Sequence, residues 1–136
     1  MIDMIKDAIK AKLEELYPSG HTVYDEVLPE AFTKPSFLIM LTEQSYQKSL
    51  GERFSSEVFF DISYYTDQPA KRMDCIRIQE ELLRAFETVG TFHIRNKKAK
   101  ITDDVLHFTF DIRYSERKEE LASSLMQQKE ISIVND

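Results

Sequence analysis

The chain has 136 residues, 42% hydrophobic and 31% charged, with a net charge of −6. That is the size of one domain, able to bury about two-thirds of the surface its unfolded form exposes without metals or disulfides, and its composition is not that of a disordered chain. The acidic balance argues against nucleic acid as the main partner, because phosphate binding needs a surplus of Lys and Arg; the single cysteine, Cys75, has no disulfide partner within the chain and suits a reducing compartment.

The segment MIDMIKDAIKAKLEELY places Ile2, Ile5, Ile9, Leu13 and Leu16 at the three-and-four spacing of an amphipathic helix. Its interspersed charges leave no apolar core for a signal peptide, and no stretch approaches the ~18 apolar residues that span a bilayer. Tyr17-Pro18-Ser19-Gly20 stops the helix. A short strand is expected at Thr22 to Val27, then a loop bounded by Pro29 and Pro35. Residues 36–48 and 53–66 read as a hairpin with Ser49-Leu50-Gly51 near its tip. In its second strand Phe54, Val58, Phe60, Ile62 and Tyr64 share one face, and Arg53, Ser55, Glu57, Asp61 and Ser63 the other. Asp67-Gln68-Pro69 opens a long central helix whose apolar side is Met73, Ile76, Leu83 and Phe86, with Ile78, Leu82 and Val89 beside them; Gly90 stops it.

Residues 91–101 and 105–115 read as a second hairpin around Thr102-Asp103-Asp104. Leu106, Phe108, Phe110, Ile112 and Tyr114 point inward, and His107, Thr109, Asp111 and Arg113 outward. Residues 117–136 read as a C-terminal arm, mobile in the free subunit, with a short helix near Leu121, Leu125 and Met126 and a small strand from Ile131 to Val134. The expected fold is α+β: a mainly antiparallel sheet of two hairpins plus a short strand, with the N-terminal helix and the long central helix packed on it, in one domain over residues 1–116. Its core is centred on Phe60, Ile62, Phe108 and Phe110; removing Phe110 should be costly and removing Asp111 nearly silent.

The chain writes one motif twice, FDISYY from Phe60 and FDIRYS from Phe110. Strand alternation accounts for both copies, so they read as two equivalent strand slots rather than a paired ligand site. His21, His93 and His107 lack metal-ligand spacing, and Cys75, among packing residues, reads as a small hydrophobe. Asp61 and Asp111 could form a carboxylate pair on the outer face, although strands carry Asp there for solubility far more often. Gly20, Gly51 and Gly90 are too scattered for a phosphate-cradling loop. The basic run Arg95 to Lys100 suits a strand edge guarded by lysines. No catalytic residue, cofactor site or metal site is expected.

What stands out is apolarity on two sides. In Phe37-Leu38-Ile39-Met40-Leu41 both parities are apolar, and Phe59 and Tyr65 sit on the otherwise polar face of the next strand. A sheet reads this way when something covers its second face, either the N-terminal helix or a neighbouring subunit. Leu38, Met40, Phe59 and Tyr65, with Ile131 and Ile133 of the arm, are therefore the candidate subunit contacts.

The helix ending in ELYP, the VYDE strand, KPSFLIML after a Pro-bounded loop, RFSSEVFFDISYYT, the following helix and VLHFTFDIRY occur in this order. Up to about Tyr114 this series resembles the tail terminator-like proteins of Gram-positive tailed phages and PBSX-type defective prophages. Asp103-Asp104 departs from the Asp-Gly expected in such a hairpin, which touches turn type only. The resemblance implies an α+β structural protein of the virion tail, made in the bacterial host cytoplasm. It implies a self-assembled ring, commonly hexameric, that caps the tail tube protein, stops tube growth and presents a surface to the head–tail connector protein. It implies no catalytic residue, no cofactor, and no nucleic-acid, membrane or small-molecule partner. Two rivals are another neck component, such as a head-closure or connector-type protein, and a small cytosolic ligand-binding α+β domain. The second would need a pocket that no polar cluster in the sequence furnishes.

Overall fold

A computed structural model describes residues 1–48, 51 and 53–117. Over these residues the chain is α+β, with two helices and a mainly antiparallel five-stranded sheet. Helix α1 is Ile2–Leu16 and strand β1 Thr22–Asp25; β2 is Ser36–Lys48 and β3 Arg53–Tyr65. Helix α2 is Lys71–Ala85, followed by the two short strands β4 Thr88–Val89 and β5 Phe92–His93, then β6 Arg95–Thr102 and β7 Val105–Arg117. The main sheet runs β1-β2-β3-β7-β6; β1 is parallel to β2 and the other pairings are antiparallel. No described helix is long and apolar enough to cross a membrane. Most of the expected C-terminal arm, from residue 118 on, lies outside the described residues, as do Ser49 and Leu50 at the expected hairpin tip.

The two FDI segments meet at the centre of the sheet. Phe60 pairs directly with Phe110 across β3 and β7, Ile62 with Phe108, and Val58 with Ile112. All six are almost completely buried. Phe86, just past α2, lays its ring against Phe108 at 5.3 Å and Phe110 at 5.8 Å. Ile5, Ile9 and Leu13 of α1 belong to the same cluster as Ile78 and Leu82 of α2. Both helices therefore cover one face of the sheet, and α1 does not cover the other.

Buried polar groups fix how the helices sit. Asp74 of α2 accepts hydrogen bonds from Tyr64 Oη and Thr66 Oγ1, both at 2.6 Å, and its other oxygen accepts from Arg77 Nη2 at 2.7 Å. Arg77 also donates to Glu81, which in turn accepts from the Tyr17 hydroxyl at the end of α1. Burial alone would push the Asp74 carboxyl up; the bonds from Thr66, Tyr64 and Arg77 outweigh it and hold the carboxyl below its ordinary range. On the other side, Lys6 of α1 reaches Asp25 and Glu26 at 3.0 and 2.8 Å.

Several elements differ from the sequence reading, each for a local reason. Strand β1 ends at Asp25 because Glu26 turns into the left-handed region (φ 64) and its carboxylate accepts the Leu41 N–H at 2.7 Å. Helix α2 is no longer than α1, 15 residues each, because it starts only after Pro69, with Ala70 at its N-cap. Its buried face is Asp74, Cys75, Ile78 and Leu82, leaving Met73 73% exposed and Ile76 also exposed. The expected apolar side is thus rotated, because the well-bonded Asp74 points inward. Its C-terminal stop is also not Gly90. The chain leaves the helix at Phe86, and Lys97 donates to the free Leu83 carbonyl at 2.7 Å, a cation at the negative end of the helix. Gly90 instead turns the small β4–β5 pair at φ +58, where an added Cβ would meet Ala8 of α1 at 3.3 Å. The expected strand over residues 91–101 is consequently split into β5 and β6. In the β6–β7 turn, Asp103 and Asp104 both take positive φ (52 and 62), the requirement that Asn-Gly or Asp-Gly usually meets.

Two measurements check this account. Gly90→Ala combines a left-handed backbone with crowding against α1 and should cost roughly 1–2 kcal/mol, read as a lower Tm. Asp74→Asn should cost about 2–3 kcal/mol at neutral pH, because the amide cannot accept at both positions. Because the folded-state pKa of Asp74 is depressed, its contribution is present above the unfolded pKa near ~4 and is lost as pH falls through the folded value. The stability of the natural chain should therefore fall below about pH 4, and the Asn variant should show a flatter acid limb in pH-dependent urea unfolding.

Candidate assembly surface

Strand alternation assigns the second face of the sheet. Paired residues point to the same side, so Leu38 and Met40 of β2 share the outer face with Phe59, Asp61, Ser63 and Tyr65 of β3. His107, Thr109 and Asp111 of β7, and Lys98 and Lys100 of β6, complete it. The register shifts between Leu41 and Glu43, where Thr42 is the extra residue and its hydroxyl donates to the Phe59 carbonyl at 3.1 Å.

The candidate contacts fall into two groups on this face. At the β1 end, the connection from β1 to β2 folds back: the Phe32 ring packs edge-on against Tyr65 at 5.0 Å and near Tyr24 at 6.4 Å. Thr33 is held there by its N–H donating to the Tyr24 hydroxyl at 3.0 Å. Leu38, paired between Tyr24 and Ser63, is only 6% exposed. Part of the second apolar face is thus covered by the chain itself. The other group is Met40, 37% exposed, and the partly exposed Phe59; they pair with Asp61 and Glu43 on either side of the register shift. Ile131 and Ile133 lie outside the described residues.

The polar centre of the face looks at first like a catalytic set. His107 Nδ1 lies 3.2 Å from Asp61 Oδ2 and 3.2 Å from Ser63 Oγ. Both partners converge on the same ring nitrogen, whereas a nucleophile relay needs Ser and Asp on opposite nitrogens. The arrangement ties β3 to β7; it does not activate Ser63.

Asp61 and Asp111 do not form a pair, because each is engaged elsewhere. Asp111 is 1% exposed: Asn96 donates to Oδ1 at 2.7 Å, and Arg95 lies 3.5 Å from Oδ2, which has no hydrogen bond. Burial and these contacts argue against the expectation that replacing Asp111 is nearly silent. It anchors the irregular start of β6, where Asn96 adopts φ 54. Glu57 also binds Arg95 and accepts from Arg113 at 3.0 Å; the Arg113 guanidinium holds its carboxyl below the ordinary range. Between these strands lies a shallow hollow of ≈310 Å³ lined by Phe59, Asn96, Lys98, Thr109 and Asp111.

Sequence reasoning missed Phe32 and Asp111. A lone aromatic in a polar, Pro-bounded loop is a usable signal for the first. Nothing in the alternation distinguishes Asp111 from Asp61.

Elsewhere, Cys75 is fully buried, its thiol pushed up by burial. His21 stacks beside Tyr17 and Phe37 at 5.0 and 5.7 Å. Among the described residues no group of three or more His, Cys, Asp or Glu is placed to hold a metal ion. A partly apolar, hydrogen-bonded face with only a shallow hollow suits contact with another protein surface better than it suits enclosing a small substrate.

A comparison with curated proteins finds no match to this chain. The family model described as phage tail terminator protein matches residues 4–124, a span that takes in all but the first two residues of α1, the whole of α2 and every strand of the sheet. The chain belongs to the phage tail terminator protein family, and is thereby a structural component of a phage tail.

Proposed function

We propose that the chain is the ring-forming subunit that caps a finished tail tube, stops its growth and presents the surface to which the head joins. The observation that carries this reading, beside family membership, is the incomplete cover of the outer sheet face. Both helices lie on the inner face, the β1–β2 connection covers only the Leu38–Tyr65 end, and Met40 and Phe59 remain partly open. Burying side chains of that size from full exposure is worth about 1.5–3 kcal/mol each; covering the part still open contributes a fraction of that, and the gain recurs at every contact around a closed ring. A hexamer of this chain would then meet the tail tube protein on one side and the head–tail connector protein on the other. The residues beyond 117, with Ile131 and Ile133, are assigned in the same reading to the contact between neighbours. A closed ring explains how a small protein ends a polymer: one side copies the docking partner of a tube layer, and the other offers no site for the next.

Phe59→Asp or Met40→Glu should leave a folded chain by circular dichroism and abolish the ring by light scattering. Particles assembled with either variant should show tubes of uncontrolled length, or tails that fail to join heads, in electron micrographs. Tails of normal length that join heads without this protein would overturn the reading.

A further inference from the structure

The sheet has two unlike ends, and their charges are opposite. At the β6 end Lys98 and Lys100 are exposed, and neither makes an ion pair with a described residue. The other two cations of the run are engaged locally, Arg95 with Glu57 and Asp111, and Lys97 with the end of α2. At the β1 end Asp25 is 60% exposed at its side chain and Glu30 is exposed in the connection that follows; between them Val27 is an exposed apolar residue. The local counter-charges do not cancel this pattern. Lys6 is shared by Asp25 and Glu26, and Lys34 sits over the Phe32 ring at 5.6 Å. Asp103 and Asp104 lie in the turn beyond β6 rather than along it.

An edge guard explains lysines on an outermost strand, but it does not explain carboxylates at the opposite edge. Two copies meeting through like edges would set Lys98 and Lys100 against their own counterparts, which is repulsive; unlike edges meet with opposite charge. We infer that neighbouring subunits join head to tail, with the β6 edge of one copy against the β1 edge and Glu30 of the next. This contact is heterologous, and repeated with a fixed rotation it closes into a ring. The inference rests on the ring reading and specifies which surfaces make the ring.

The test uses the full-length chain in two charge-reversed forms, Lys98→Glu with Lys100→Glu, and Asp25→Lys with Glu30→Lys. Lys98, Lys100 and Glu30 are exposed, so the lysine form should melt near the natural chain; Asp25→Lys also gives up the ion pair to Lys6, so the second form should stay folded but melt somewhat lower. Each alone carries two edges of like sign and should assemble at least on the order of ten-fold more weakly in sedimentation. Mixed in equal amounts they should recover assembly, as alternating rings with an even number of subunits, and added salt should weaken both the natural and the mixed rings. A natural oligomer indifferent to both reversals, or no recovery on mixing, overturns the head-to-tail contact and leaves the ring intact. A natural chain that stays monomeric at every concentration, and on isolated tail tubes, overturns the ring reading itself. If the lysine reversal abolishes binding to a DNA duplex while the oligomer persists, the basic edge belongs to nucleic acid and the inference fails.

Discussion

The antiparallel pairing of β3 with β7, in register along the whole of β3, is the constraint on which the rest of the structure depends. It sets Phe60 against Phe110 and so puts the Phe and Ile of both FDI segments on one inner face. That face is broad and mostly apolar, and both helices and Phe86 pack on it. No described helix is then left for the reverse side. The only described element that folds over it is the β1–β2 connection, through Phe32. Under the proposed function, the inner face then serves folding and the outer face serves assembly, so the two become separable functions of opposite sides of one sheet.

The position of α2 is decided by a polar group rather than by its apolar residues. A carboxylate buried without partners would cost several kcal/mol, so a buried Asp requires a satisfied site. Asp74 has three donor residues, two of them at the end of β3 and just after it, so the helix is held where that bonding closes. Met73 and Ile76 are exposed as a consequence, although their hydrophobicity alone would have placed them inside. The neutral phenols of Tyr64 and Tyr17, pushed up by burial and by their carboxylate acceptors, tie α1 and β3 into the same network.

Much of this was legible in the sequence because alternation and helical spacing depend on neighbours along the chain. The buried rows Val58–Phe60–Ile62–Tyr64 and Leu106–Phe108–Phe110–Ile112, and Ile5–Ile9–Leu13 of α1, follow directly from spacing. Features that depend on distant parts of the chain were not legible. Gly90 looks like a helix stop, but its role comes from Ala8, which is remote in sequence. Asp111 looks like a solubilising residue on an outer strand position, but Asn96 and Arg95 close over it from the adjacent strand. Of the candidate contacts, alternation placed Leu38, Met40, Phe59 and Tyr65 on one face correctly. It had no means of showing that Phe32 would pack on Tyr65 at one end while Met40 and Phe59 stay partly open at the other.

The small size of that open part bears on how a terminator must work under the proposed function. Two side chains would supply about 3–6 kcal/mol if buried from full exposure, and both are partly buried already, so what they add does not reliably exceed the ~4–15 kcal/mol that association costs in lost freedom, and a single contact between free subunits is weak. Opposite charges at the sheet ends raise encounter rates and fix orientation more than they add affinity. In a closed ring each subunit is held by two neighbours, and a tube end that binds several subunits at once supplies a high effective concentration for the rest. Weak lateral contacts are then an advantage. They keep the subunits dispersed while tubes are growing and let the ring close where a finished tube end gathers them, so the same modest apolar patch can serve both the delay and the cap.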